Sequence, residues 1–198
     1  MEIVLATRNQ KKLRELKALL ADMPVEVLSL SDFPDAPEVE ETGVTFAENA
    51  QSKARAAALA TGRIALADDS GLEVDALGGR PGVLSNRFAG PDASDRDKYL
   101  LVQEMMKDVP DEERSARFRA AVAVASPDGR VSVVEGACEG TIAREPKGDG
   151  GFGYDPIFYL PDLGRTMAEL SPDEKNRISH RGKALRAAKQ ILREMLGY

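Results

Sequence analysis

The sequence predicts an α/β fold, and three observations carry that prediction. The chain opens strand–helix–strand, and it returns to helix–strand alternation after a loop rich in proline and acids. A β-hairpin later in the chain then makes the expected sheet mixed rather than purely parallel. With 198 residues, 42% hydrophobic and 30% charged, the chain can bury a sizeable core and is expected to form one domain over residues 1–198.

Residues 3–6 form a short apolar run that reads as a buried first strand. A helix follows over about 11–21, with Leu13, Leu16, Leu19 and Leu20 on one face, and residues 25–30 read as a second strand. Thr45-Phe46-Ala47-Glu48 is a capping box, in which hydroxyl and carboxylate satisfy orphan backbone donors. It starts a helix that runs to about Ala60 and is stopped by Gly62. Ile64-Ala65-Leu66-Ala67 is the next strand, expected to open into a loop at Asp68-Asp69-Ser70-Gly71. Residues 94–107 read as a capped amphipathic helix, and 117–125 with 131–139 as a hairpin about Ser126-Pro127-Asp128-Gly129. A short strand over 157–159 follows. Ser171-Pro172-Asp173-Glu174 then starts a helical segment, and the last helix covers about 181–196.

A formal charge of -6 argues against a nucleic-acid-binding face, which is normally basic. Cys138 is the only cysteine, so neither an intrachain disulfide nor a cysteine metal cluster can form, and a reducing compartment is favoured. No apolar run reaches the length of a membrane span, and the N-terminal run is too short for a signal peptide. The expected location is the cytoplasm.

Four constellations could carry chemistry. Thr7-Arg8-Asn9-Gln10-Lys11-Lys12 leads a strand into a helix N-terminus, where free N–H groups and the helix dipole favour an anion. Adjacent acids such as Asp68 and Asp69 repel unless a cation or partner offsets them. With Glu40 and Glu41 they would make a carboxylate nest suited to Mg²⁺, which takes one or two carboxylates and fills its shell with water and phosphate oxygens. Lys53, one turn beyond Asn49, could reach a phosphate. Gly148-Asp149-Gly150-Gly151-Phe152-Gly153 satisfies G-x-G-x-x-G, but no strand leads into it and Pro156 prevents a following helix, so a dinucleotide site is excluded. It reads instead as a loop presenting Phe152 and Tyr154 for stacking on a base, unless both are core anchors. Lys175 with Ser179-His180-Arg181 offers a surface of donors suited to a carbonyl-rich base edge.

Together these blocks resemble the inosine triphosphate pyrophosphatase family, enzymes that clear unusual purine nucleoside triphosphates from the nucleotide pool. The resemblance rests on Leu5-Ala6-Thr7-x-Asn9-x-x-Lys12-x-x-Glu15, Glu41-Thr42-Gly43-x-Thr45-Phe46-x-Glu48-Asn49-Ala50, Ala67-Asp68-Asp69-Ser70-Gly71-Leu72 and Gly78-Gly79-x-Pro81-Gly82-Val83. It continues through Gly150-Gly151-Phe152-Gly153-Tyr154-Asp155-Pro156-Ile157-Phe158 and Lys175-x-x-x-Ser179-His180-Arg181-Gly182. It implies Mg²⁺-dependent hydrolysis of ITP, dITP and XTP to the monophosphate and pyrophosphate by a homodimer. It also implies an elongated fold whose long mixed sheet links two lobes around a nucleotide cleft. By motif position, Thr7, Arg8, Asn9, Gln10, Lys11 and Lys12 bind the triphosphate, Glu40 and Asp69 hold the metal, and Asp69 accepts the proton. Ser70 contacts substrate, and Phe152, Gly153, Tyr154, Asp155, Lys175, His180 and Arg181 hold the base. Lys11 stands where the family often has glycine, and Leu84-Ser85-Asn86-Arg87-Phe88 replaces a more tyrosine-rich segment. Two other readings remain open at this point: a pyrophosphatase acting on modified pyrimidine triphosphates, and a nucleotide-binding regulator without turnover.

Overall fold

The computed structural model describes residues 1–197, and for Lys11 it describes the backbone only. The strands are β1 (Glu2–Leu5), β2 (Glu26–Ser29), β3 (Ile64–Val74), β4 (Ser115–Ala125), β5 (Val131–Ile142), β6 (Phe158–Leu160) and β7 (Arg165–Thr166). The α-helices are α1 (Gln10–Leu19), α2 (Phe46–Thr61), α3 (Asp95–Met105), α4 (Pro172–Ile178) and α5 (His180–Leu196). The strands form one seven-stranded sheet in the order β2-β1-β3-β4-β5-β6-β7. β1 runs parallel to β2 and β3, whereas β6 runs antiparallel to β5 and β7, so the sheet is mixed as expected. Ser126 donates its N–H to Arg130 O at 2.9 Å and closes the turn that joins β4 to β5.

The chain divides into two compact units. The first comprises Met1–Asp69, Ala120–Glu135 and the segment from Ala184 onward; the second comprises Ser70–Arg119 and Gly136–Lys183. Each unit has its own apolar core. In the first, Leu13 and Leu16 of α1 and Leu20 just beyond its end, three of the four leucines of the predicted stripe, pack with Ile3, Leu5, Val27 and Leu66, while Leu19 is only partly buried against them. Ala184, Ala188 and Leu192 of α5 join the same core. Lys189 and Arg193 on α5 both bind Asp22, at 2.5 and 2.9 Å, and Lys189 also donates to Leu19 O at the end of α1. In the second unit, Leu72, Val74, Val102, Met106, Phe118, Ile142, Ile157 and Phe158 form the core. Buried Arg114 donates to Met106 O, just past the end of α3, and to Val109 O in the turn that follows, at 2.6 and 3.2 Å.

Most caps behave as the sequence predicts: Gly62 ends α2 in the left-handed region, and Ser94 and Ser171 form capping boxes on α3 and α4. At Thr45 only half of the predicted box forms, since its hydroxyl accepts Glu48 N–H but the Glu48 carboxylate accepts Val44 N–H at 2.8 Å instead of closing back on Thr45. A second expectation fails outright. β3 does not open into a loop at Asp68 but runs on through Asp69, Ser70 and Gly71 to Val74. Three polar residues and a glycine imitate a turn, yet Leu72 and Val74 are fully buried and anchor the extension in the second core. Leu72 N–H is satisfied by Ser85 Oγ at 2.9 Å. Gly71 is required there, since a Cβ would collide with Ser85 Oγ and lie 2.5 Å from Gly82 O.

Candidate active site

The first candidate group lies where β1 ends. Leu5 pairs with Leu66, and Ala6 N–H still donates to Leu66 O at 2.7 Å before the chain leaves the sheet. This carboxyl end of parallel strands is where ligands collect in α/β sheets. The departing segment is held by its own polar groups. Thr7 Oγ1 accepts from Asn9 N–H at 3.2 Å, Asn9 Oδ1 accepts from Lys12 N–H at 3.4 Å, and Arg8 donates to Leu30 O at 3.2 Å. Gln10 opens α1 and is exposed. The side chain of Lys11 lies outside the described residues. Thr7, Arg8, Glu38 and Lys53 share the lining of a cavity of about 190 Å³.

Because β3 continues past β1, Asp68 and Asp69 sit on an extended strand, where successive side chains point to opposite faces. Each finds its own lysine. Lys12 Nζ lies 2.9 Å from Asp68, and Lys53 Nζ lies 3.2 Å from Asp69 Oδ1. Lys53 also binds Glu41 at 2.6 Å and Asp68 O at 2.9 Å. The capped start of α2 aims Asn49 at the same carboxylate. Asn49 Nδ2 donates to Asp69 Oδ2 at 3.0 Å, while its Oδ1 accepts from Gly43 N–H at 2.8 Å. Burial raises the pKa of Asp69 above the usual carboxylate value, against the opposing pull of Lys53 and Asn49. Burial acts to lower the pKa of Lys53, but the charges and hydrogen bonds of Asp69 and Glu41 outweigh it and the net shift is upward.

The expected nest of four carboxylates is therefore not assembled. Acids and lysines alternate instead, because a strand turns neighbouring acids apart and each then recruits an ammonium. Among the described residues, no group of three or more His, Cys, Asp or Glu side chains is placed to hold a metal. Glu40 is exposed, and its neighbour Glu41 is the acid that reaches Lys53. Glu41 belongs to the expected nest but turns to Lys53, and Asn49 is the site residue to which the sequence assigns no role. Its signal is the cap at Thr45, which fixes the phase of α2.

The second candidate group belongs entirely to the second unit. Phe152 is 45% exposed, an unusual state for phenylalanine. Lys175 Nζ lies 4.3 Å and the Arg181 guanidinium 5.2 Å from its ring centroid, a double cation–π arrangement. Asp155 holds this arrangement together from beneath. It is almost fully buried, accepts from Phe152 N–H at 2.8 Å and forms an ion pair with Lys175. Burial raises its pKa, opposed by the Lys175 charge. Gly153, in the left-handed region at φ 62°, donates its N–H to Asp95 at 2.7 Å. His180 is buried with its ring stacked on Phe118, centroids 4.8 Å apart. Arg181 Nη2 lies 3.5 Å from Ser70 Oγ, at the start of the second unit's share of β3.

Tyr154 departs from the expectation of two presented rings. It is buried in the second core and donates its hydroxyl to Ser85 O at 2.8 Å. Burial raises its pKa well above the usual phenol value. The glycines around it free the loop backbone, but a phenol pointing inward finds both apolar packing and a carbonyl, so only Phe152 is left exposed.

Comparison with known proteins bears out the resemblance. A curated protein of Geobacillus kaustophilus named dITP/XTP pyrophosphatase is 57% identical over 99% of this chain and 96% of its own length. One of the same name from Desulforamulus reducens is 53% identical over 98% of this chain and 97% of its own. The solved structure of a HAM1 protein from Coxiella burnetii superposes with a TM-score of 0.92 at 48% identity, covering 98% of this chain and 99% of that one. A family model described as Ham1 family matches residues 3–191, and the chain belongs to that family.

Proposed function

We propose that this protein hydrolyses ITP, dITP and XTP between the α- and β-phosphates, giving the nucleoside monophosphate and pyrophosphate. The names of its full-length relatives support the substrate class. The observation that carries the reaction is Asp69, a buried carboxylate with a raised pKa, gripped by Asn49 on one oxygen and Lys53 on the other. Such a group accepts a proton from attacking water while its orientation is fixed by two donors.

The remaining assignments follow the chemistry of each group. Thr7, Arg8, Asn9, Gln10, Lys11, Lys12 and Lys53 take the triphosphate, with backbone donors at the start of α1 and two ammonium groups offsetting charge on the leaving pyrophosphate. Lys12 and Lys53 are paired with carboxylates here, so an incoming phosphate exchanges one set of oxygens for another. Ser70 contacts the substrate. Phe152 stacks on the base, Gly153 and Asp155 shape its loop, and Lys175, His180 and Arg181 supply donors to its carbonyl edge.

The donor set fits Mg²⁺: hard carboxylate oxygens, few in number, beside groups that would bring phosphate oxygens. Asp69 and Glu40 would hold it. When bound, the ion supplies charge to offset the phosphates and makes a water more acidic. We further take the working form to be a homodimer, as the family resemblance implies, in the cytoplasm.

The test is product analysis with ITP, with and without Mg²⁺. IMP and pyrophosphate are expected; diphosphate with orthophosphate would overturn the cleavage position. Glu40→Gln and Glu41→Gln, compared by the Mg²⁺ concentration giving half-maximal turnover, decide which acid serves the metal.

A further inference from the structure

Ser85 lies outside every group assigned above, yet it ties together the two segments on which the second group is built. Its side chain is almost fully buried. Ser85 Oγ accepts from Leu72 N–H at 2.9 Å, two residues after Ser70, and donates to Gly82 O at 2.6 Å. Ser85 O accepts from the Tyr154 hydroxyl at 2.8 Å. Tyr154 is flanked by Gly153, which donates to Asp95, and by Asp155, which holds Phe152 N–H and Lys175. Arg181 completes the circuit, reaching both Ser70 Oγ and the Phe152 ring. Gly71 lies against Ser85 with no room for a side chain.

We propose that Ser85 is a positioning residue that sets the register between the Ser70–Leu72 strand segment and the Phe152–Asp155 loop, and so tunes recognition of the purine base. It touches no substrate atom. Its hydroxyl accepts the Leu72 N–H of the strand, and its carbonyl holds Tyr154, the ring of the loop that is buried. The same two contacts give physical reasons for Gly71 and for Tyr154. A loop displaced by a fraction of an ångström would leave Phe152 and Lys175 out of step with Ser70 and Arg181, and binding geometry is sensitive at that scale.

This inference rests on the pyrophosphatase reading, so the experiment separates the two. Ser85→Ala, Tyr154→Phe and the double variant are compared with the wild-type chain by kinetics with ITP and ATP and by amide hydrogen exchange of residues 152–155. Tyr154→Phe removes a single hydroxyl and keeps the ring, so it safeguards the test should Ser85→Ala fold poorly. Each single variant is expected to raise the KM for ITP about tenfold with kcat nearly unchanged. Each should also speed exchange at Phe152 and Gly153, and the double variant should be little worse than either single one, as for residues acting through one device. Exchange and KM that stay at wild-type values in Tyr154→Phe, or single-variant effects on KM that simply multiply, overturn the proposal. Wild-type protein that releases no pyrophosphate overturns the functional reading instead, and the exchange data then decide the Ser85 coupling alone.

Discussion

In the first unit the candidate site is built from charge: two acids on one strand, each with its own lysine, and an asparagine delivered by a capped helix. In the second it is built from an exposed ring with two cations near it and a buried carboxylate beneath. Both groups contain a buried aspartate with a raised pKa and a partner lysine, Asp69 with Lys53 and Asp155 with Lys175. Their surroundings separate them. Asp69 shares its lysine with Glu41, so the ammonium is divided among several oxygens and can be surrendered to a phosphate. Asp155 spends its remaining capacity on Phe152 N–H, within its own loop. A carboxylate with a shared cation is suited to chemistry, and one tied to its own backbone is suited to holding a platform.

The largest expected effect tests that division directly. Asp69→Asn should lower pyrophosphate release by 10²–10⁴-fold, a range typical of a lost general base, with circular dichroism and thermal midpoint close to wild type. Asp155→Asn should instead act mainly through KM. If Asp155→Asn costs as much kcat as Asp69→Asn, the assignment of roles is wrong.

Phe152→Ala comes next. Stacking on a base contributes about 1–3 kcal/mol, which predicts a KM for ITP raised about 5- to 150-fold with kcat little changed. Arg181→Ala sharpens the same point. Hypoxanthine and xanthine present an acceptor where adenine presents an amino donor, so an arginine, which only donates, favours ITP over ATP. The ITP-to-ATP ratio should narrow. Equal losses for both substrates would move Arg181 to the phosphates or to structure.

The pH dependence separates the two aspartates again. In the metal-free protein the Asp69 carboxyl, followed by NMR, should titrate above the ordinary carboxylate range because of its burial. Lys53→Met removes the main opposing charge and should move that titration to still higher pH, whereas Lys175→Met should leave it in place. Stability follows from the same shifts. Each raised aspartate holds more protons folded than unfolded, so its cost to the fold is relieved as pH falls through the raised pKa and returns as pH rises. Thermal midpoints of Asp155→Asn against pH should lack the part due to that residue.

What was legible in the sequence was local. Caps at Thr45, Ser94 and Ser171 located three helices because each satisfies backbone donors within four residues. The apolar stripe of α1 named its own core contacts. What was not legible depended on distant partners. The polar run at Asp68–Gly71 reads as a turn until Ser85, Lys12 and Lys53 are there to satisfy it as strand. The fate of Tyr154 turned on a carbonyl far away in sequence, at Ser85. Glu40 and Glu41 could not be told apart because the segment entering α2 has no periodicity to set which side chain faces Lys53. β7, two residues long, is too short to carry any pattern.

The smallest effect bears on whether the two groups divide the work. Thr45 caps α2 by accepting Glu48 N–H at 3.1 Å, and α2 carries both Asn49 and Lys53. Thr45→Ala should cost about 1 kcal/mol of stability, a shift of about 2–4 °C in thermal midpoint. Fraying of the first turn should also loosen the grip of Asn49 on Asp69, giving a loss of kcat of about two- to fivefold, far smaller than for Asp69→Asn. Discrimination is a different matter. The donors proposed to distinguish ITP from ATP belong to the second group, whereas Thr45 belongs to the first unit, so the ITP-to-ATP ratio of kcat/KM should equal that of the wild type. A ratio that moves with Thr45→Ala would mean that the charge-built group reads the base as well, and that the assignment of phosphate chemistry to one group and base recognition to the other is false.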